Sequence, residues 1–143
     1  MIAGADETDS NRIYEFGKNI GIAFQLHDDL LDVYGDENKF GKQTGGDIIA
    51  NKKTFLLLKA LEQATGKNLS VLKRWLSLKS FDAQEKVTAI KEIFSSLKIR
   101  EASELKTDSY FQKALQALDQ INVPEENKSA LKNAAGVLMV REV

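Results

Sequence analysis

Apolar positions recur at helical spacing along nearly the whole chain. Laid out at about 100° per residue, Ile13, Phe16, Ile20, Phe24, His27, Leu31 and Tyr34 share one side of a first helix. Ile22, Leu26, Leu30 and Val33 share roughly the opposite side. Thr8, Asp9 and Ser10 offer N-caps for this helix, which runs to about residue 34. GDENKFGKQTGG, residues 35–46, is the one long glycine-bearing loop. A second helix is predicted over about 47–64, with Gly66 near its C-terminal end, and Asn68 caps a short helix through LSVLKRWLSL. Asp82 with Glu85 three residues on opens a helix to about 97, another spans about 101–118, and Pro124 sits where the first turn of a last helix starts. No segment alternates with the period of a strand. The pattern predicts an all-α protein, a helical bundle of five or six helices forming a single domain over residues 1–143.

Between the two apolar faces of the first helix runs one polar stripe: Gln25, Asp28, Asp29 and Asp32, with Gly21 beside them. A solvated surface helix has one apolar and one broad polar face. Apolar on two sides, this helix is expected to pass through a core and aim its acids into an enclosed wet cavity. Asp28 and Asp32 are four residues apart, so their carboxylates lie one turn apart and repel. A divalent cation removes that repulsion, and hard oxygens from one or two side chains, completed by water and phosphate, suit Mg²⁺. The competing interpretation is an ordinary solvated acidic face. A calcium-binding EF-hand loop is excluded, since counting from Asp28 or Asp32 puts neither glycine sixth nor glutamate twelfth. His27 falls on the apolar side and reads as a core histidine.

Composition narrows the field. The 143 residues carry 20 basic and 21 acidic side chains, a net charge of -1, which points to neither nucleic acid nor an anionic membrane as partner. No cysteine is present, so disulfides and thiolate metal sites are excluded. No signal peptide and no run of about 20 apolar residues is found, and a soluble, cytoplasmic protein without an integral membrane segment is expected.

The loop after the stripe, GKQTGGDIIANKKT, adds cations. Lys42 sits in a glycine-bearing loop able to fold back over the aspartates, and Lys52 and Lys53 open the next apolar stretch near Asp47. Lysines facing a carboxylate-bound metal suit a diphosphate, bridged by the metal and neutralised by ammonium groups. The glycines match neither a Walker A nor a dinucleotide pattern.

The stretch GIAFQLHDDLLDVYGDENKFGKQTGGDIIANKKT resembles the second aspartate-rich region of the polyprenyl (trans-isoprenyl) diphosphate synthases, strongly over about residues 20–54. That family reads F-Q-x-x-D-D-x-x-D, a Gly-Asp turn, then G-K-x-x-G-x-D-I and a further lysine. The resemblance implies an isoprenoid-synthase-type fold and condensation of an allylic diphosphate with isopentenyl diphosphate, assisted by Mg²⁺. By position it implies Asp28 as direct metal ligand, with Asp29 and Asp32 acting through metal-bound water. It places Lys42 on the allylic diphosphate, Lys52 or the adjacent Lys53 as the second lysine, and Phe24 and Gln25 at the substrate as the Phe-Gln pair, the Gln25 carbonyl near the developing cation.

The family's first aspartate-rich motif, its isopentenyl-diphosphate-binding basic residues and its Lys-Thr pair have no counterpart here, so the resemblance is to the C-terminal half alone. Met1 fits an internal methionine, a misassigned start or an engineered boundary equally. Two other interpretations share the fold: a non-catalytic partner subunit or scaffold, and a class I terpene cyclase piece. The retained polar stripe speaks against a scaffold, and the GKxxGGD continuation speaks against a cyclase. Alone, residues 1–143 are expected to be inactive in condensation. They are also expected to self-associate, most simply as a dimer, because Ile22, Leu26, Leu30 and Val33, or the opposite face, would lack part of their packing.

Overall fold

The computed structural model describes residues 7–35 and 44–139. Among these residues there are seven helices and no strand: α1 (Glu7–Tyr34), α2 (Gly46–Ile49), α3 (Phe55–Gln63), α4 (Gly66–Ser77), α5 (Ala83–Ser96), α6 (Ile99–Asp119) and α7 (Glu125–Met139). The all-α expectation holds. No described helix is long and apolar enough to cross a membrane.

Several boundaries differ from the sequence pattern for identifiable reasons. The helix expected over 47–64 is two helices. Asn51 adopts φ 56°, and its amide reaches the Ile48 carbonyl at 3.2 Å while that of Lys52 reaches Asp47 at 2.9 Å. These paired bonds form a Schellman C-cap, with asparagine in the left-handed position usually held by glycine. Thr54 then caps α3, its hydroxyl accepting the Leu57 amide at 3.2 Å. Gly66 opens α4 instead of closing the preceding helix, which puts Asn68 inside α4, donating to Ser96 Oγ. Helix α1 begins by Glu7, so Thr8, Asp9 and Ser10 lie within its first turns. The Asp82 cap forms as expected, its Oδ1 accepting the Glu85 amide at 2.9 Å.

The helices fall into two compact units, one taking in α1 as far as His27 and the chain from Leu105 onward, the other Asp28–Glu104. In the first, Ala114 and Leu118 of α6, Ile121, and Ala135 of α7 are buried. Asp9 accepts the Asn122 amide, and Arg12 donates to the Gln120 carbonyl at 2.7 Å, so α1 is tied to the α6–α7 connection. In the second, the core joins Leu30 and Val33 of α1 to Ile48, Leu56, Leu72, Ile90 and Phe94. Of Ile22, Leu26, Leu30 and Val33, one of the two faces expected to lack part of its packing, Leu30 and Val33 are covered at 4% and 2% exposure by the core of α2, α3 and α5, while Ile22 and Leu26 are half-buried.

Candidate active site

The C-terminal turns of α1 carry the acidic stripe, and the second unit builds a site on it. Asp29 is buried at 7% exposure, Asp28 and Asp32 are half-buried. One turn earlier on the same helix, Gln25 is exposed and Phe24 and His27 are half-buried. His27 thus lies on neither a bare surface nor a sealed core.

After α1 the chain returns at Thr44 and Gly45, whose amide donates to the Asp32 carbonyl at 2.6 Å. Gly45 has φ 92°, and a Cβ there would stand 2.8 Å from Val87 Cγ2, so both backbone and space require glycine. Gly45 occupies the N-cap of α2 and has no side chain to offer. Asp32 fills that role from α1: its Oδ2 accepts the Asp47 amide at 2.8 Å. The α2 turn is thereby held against the stripe.

The Schellman cap at Asn51 then reverses the chain, so that Lys52 returns to the same patch. Its Nζ lies 3.3 Å from Asp29 Oδ1 and 3.8 Å from Asp47 Oδ2. Of the two adjacent lysines, Lys52 is the one turned to the aspartates. The Asp29 charge and hydrogen bond, then Asp47, push the Lys52 ammonium above the usual lysine range. Burial, then the Asp32 charge, raises the Asp47 carboxyl above its ordinary value, with Lys52 pulling the other way. Behind Lys52 and Asp47 lies a small, mainly apolar cavity walled by Val33, Ile48, Leu57, Leu76 and Phe94.

Among the described residues no three His, Cys, Asp or Glu side chains close into a group that could hold a metal unaided. The oxygen-only stripe nevertheless fits Mg²⁺, which binds through one or two carboxylates and takes its remaining ligands from water and phosphate. Lys42 lies outside the described residues. Of the site residues expected from the sequence, Lys52 stands beside Asp29, Asp32 holds the turn that carries Asp47, and Lys53, the other lysine considered, is exposed. The sequence reading missed Asn51 and Lys86, which hold the turn before Lys52: Lys86 Nζ donates to the Ile49 carbonyl and to Asn51 Oδ1. The available signal was a lysine within the apolar register Lys86, Ile90, Ile93 of α5.

The family model described as polyprenyl synthetase matches residues 1–94 of the chain. The chain belongs to the polyprenyl synthetase family. A geranylgeranyl diphosphate synthase of Sulfolobus acidocaldarius is 33% identical over 122 residues, covering 85% of this chain and 36% of that protein. A crystal structure of a geranylgeranyl pyrophosphate synthase superimposes with a TM-score of 0.86 at 38% identity, over 99% of this chain and 44% of its own. A geranylgeranyl pyrophosphate synthase from Corynebacterium glutamicum, complexed with calcium and isoprenyl diphosphate, gives a TM-score of 0.77 at 26% identity, over 96% of this chain and 41% of its own. The chain thus spans less than half the length of these polyprenyl synthetase relatives, and its helices have the all-α isoprenyl synthase fold.

Proposed function

We propose that this chain carries the second acidic half of a prenyl-condensing site, with Mg²⁺ as cofactor and allylic and isopentenyl diphosphates as substrates of the whole enzyme. The observation that carries this reading is the hydrogen-bonded patch of Asp29, Lys52, Asp47 and Asp32 at the end of a helix that is apolar on its other sides. Asp28 would hold the metal directly and Asp32 through metal-bound water, and the metal when bound supplies charge neutralisation on a departing diphosphate. Asp29, buried against Lys52, serves by fixing that lysine and through metal-bound water. Lys52 and Lys42 neutralise diphosphate oxygens. The Gln25 carbonyl oxygen is the neutral acceptor of the stripe and suits a developing allylic cation, with Phe24 beside it as a substrate contact. The Corynebacterium relative, bound to a divalent cation and an isoprenyl diphosphate, supports this choice of ligands.

The chain holds a single Asp-Asp pair, whereas condensation needs acids on both sides of the diphosphate. Residues 1–143 therefore bind diphosphate but do not condense. They act as a dimer, in the cytoplasm. Titration calorimetry with inorganic pyrophosphate, with and without Mg²⁺, tests the reading, alongside incubation with both substrates. Mg²⁺-dependent pyrophosphate binding without chain elongation is expected. Absence of binding, or elongation by residues 1–143, overturns it.

A further inference from the structure

We infer that Lys86 and Asn51 are a positioning pair that sets Lys52 against the acidic stripe. Lys86 has 0% exposure, on the inner face of α5 beside Val87 and Ile90. A lysine goes so deep only where its donors are satisfied. Its Nζ donates to the Ile49 carbonyl at 3.2 Å and to Asn51 Oδ1 at 2.5 Å, and stands 4.2 Å from the Phe81 ring centroid. The Ile49 carbonyl is among those that a helix end leaves without an intrahelical partner.

Asn51 is gripped from a second side, its Nδ2 donating to the Leu76 carbonyl at 3.1 Å. One side chain thus joins α5, the end of α4 and the α2 turn, at a residue held in the left-handed region. Lys52 is the next residue, and its amide closes the Schellman motif on Asp47. With the asparagine fixed in position and φ, the backbone from which the lysine stem leaves is fixed too, and its Nζ reaches Asp29 and Asp47. An apolar residue at 86 would fill the same space but remove the donor from two part-buried acceptors.

The functional consequence rests on the reading of Lys52 as a diphosphate ligand, whereas the positioning itself does not. Residue-resolved amide hydrogen exchange on residues 1–143 is measured for the parent, Lys86→Met and Asn51→Gly, with calorimetry of pyrophosphate in Mg²⁺. Asn51→Gly keeps a residue at ease with positive φ but removes the carboxamide. In both variants the amides of Asp47, Asn51 and Lys52 are expected to exchange about tenfold faster relative to those of Ile90 and Phe94, and pyrophosphate affinity to fall about tenfold. A purely structural lysine would move all these amides by one common factor. That result, or unchanged exchange at the three turn amides, overturns the inference. If Lys86→Met does not fold, Asn51→Gly decides alone. A parent that binds no pyrophosphate overturns the diphosphate reading, and the exchange data still decide the positioning.

Discussion

Lys52 Nζ lies 3.3 Å from Oδ1 of Asp29, a residue 23 positions earlier in the chain. The two meet because α1 presents a buried carboxylate and a one-turn helix, closed by Asn51, delivers the cation to it. The cation is half exposed and the acid is not. Lys52 therefore keeps a solvent-facing side, while Asp29 is turned inward.

Removing Lys52 takes a charged donor from a buried carboxylate, whereas Lys53 is exposed. Lys52→Met should lower unfolding free energy by about 1 kcal/mol and abolish pyrophosphate binding. Lys53→Met should stay within about 0.5 kcal/mol and retain binding. Urea titrations and calorimetry of the two variants compare them directly, and equal effects would contradict the assignment.

Asp28 and Asp29 should separate binding from stability. Asp29→Asn is expected to lower the urea midpoint more, since the acid is buried against Lys52. Asp28→Asn is expected to weaken Mg²⁺-dependent pyrophosphate binding more, and in a complete enzyme Asp28→Ala should lower turnover by about 100-fold or more. The reverse order in midpoint and affinity would reassign the two residues.

Asp47 sets a pH dependence. Burial and Asp32 raise its folded pKa above the ordinary 3.8, so between those two values the folded state binds more protons than the unfolded chain. Its contribution to stability therefore falls as pH rises through that window and stays lower above it. Asp47→Asn lacks this slope, so its stability relative to the parent should improve from acid to neutral pH. Urea midpoints at both pH values check the sign. A variant that loses ground at neutral pH would mean that the Lys52 attraction outweighs burial.

The glycines divide by environment. Gly45→Ala forces φ 92° on a side chain and drives a methyl to within 2.8 Å of Val87, so a loss of about 1–3 kcal/mol is expected. Gly21→Ala, in the interior of α1 with no atom of the described residues within 4 Å of its added methyl, should gain about 0.5–1 kcal/mol. Thermal denaturation of the pair would expose any error in either environment.

Within the first unit, Tyr14 at 67%, Leu105 at 73% and Val137 at 68% remain exposed. Association that covers such residues is expected to give a dimer of twice 15.9 kDa. Sedimentation equilibrium over a wide concentration range is the measurement, and a constant monomer mass would reject self-association.

Periodicity alone determined that the chain is helical, that α1 is apolar on two sides, and that Asp28, Asp29 and Asp32 share a stripe, because each is a property of one regular element. The Asp82 cap was legible for the same reason, being complete within four residues. Tertiary structure decided the rest. Residues 47–64 carry enough helix-forming residues to read as one helix, yet Asn51 breaks it, because Lys86 and the Leu76 carbonyl engage its side chain from α5 and the end of α4. Which of two adjacent lysines faces the acids depends on that break, since the left-handed residue sets how the chain carrying both leaves α2. Asp32 capping α2 across 15 residues, and the covering of Leu30 and Val33, depend likewise on where separate helices pack. A pattern within one element carries its own geometry, but hydrogen bonds between elements exist only once the burial of apolar faces has brought those elements together.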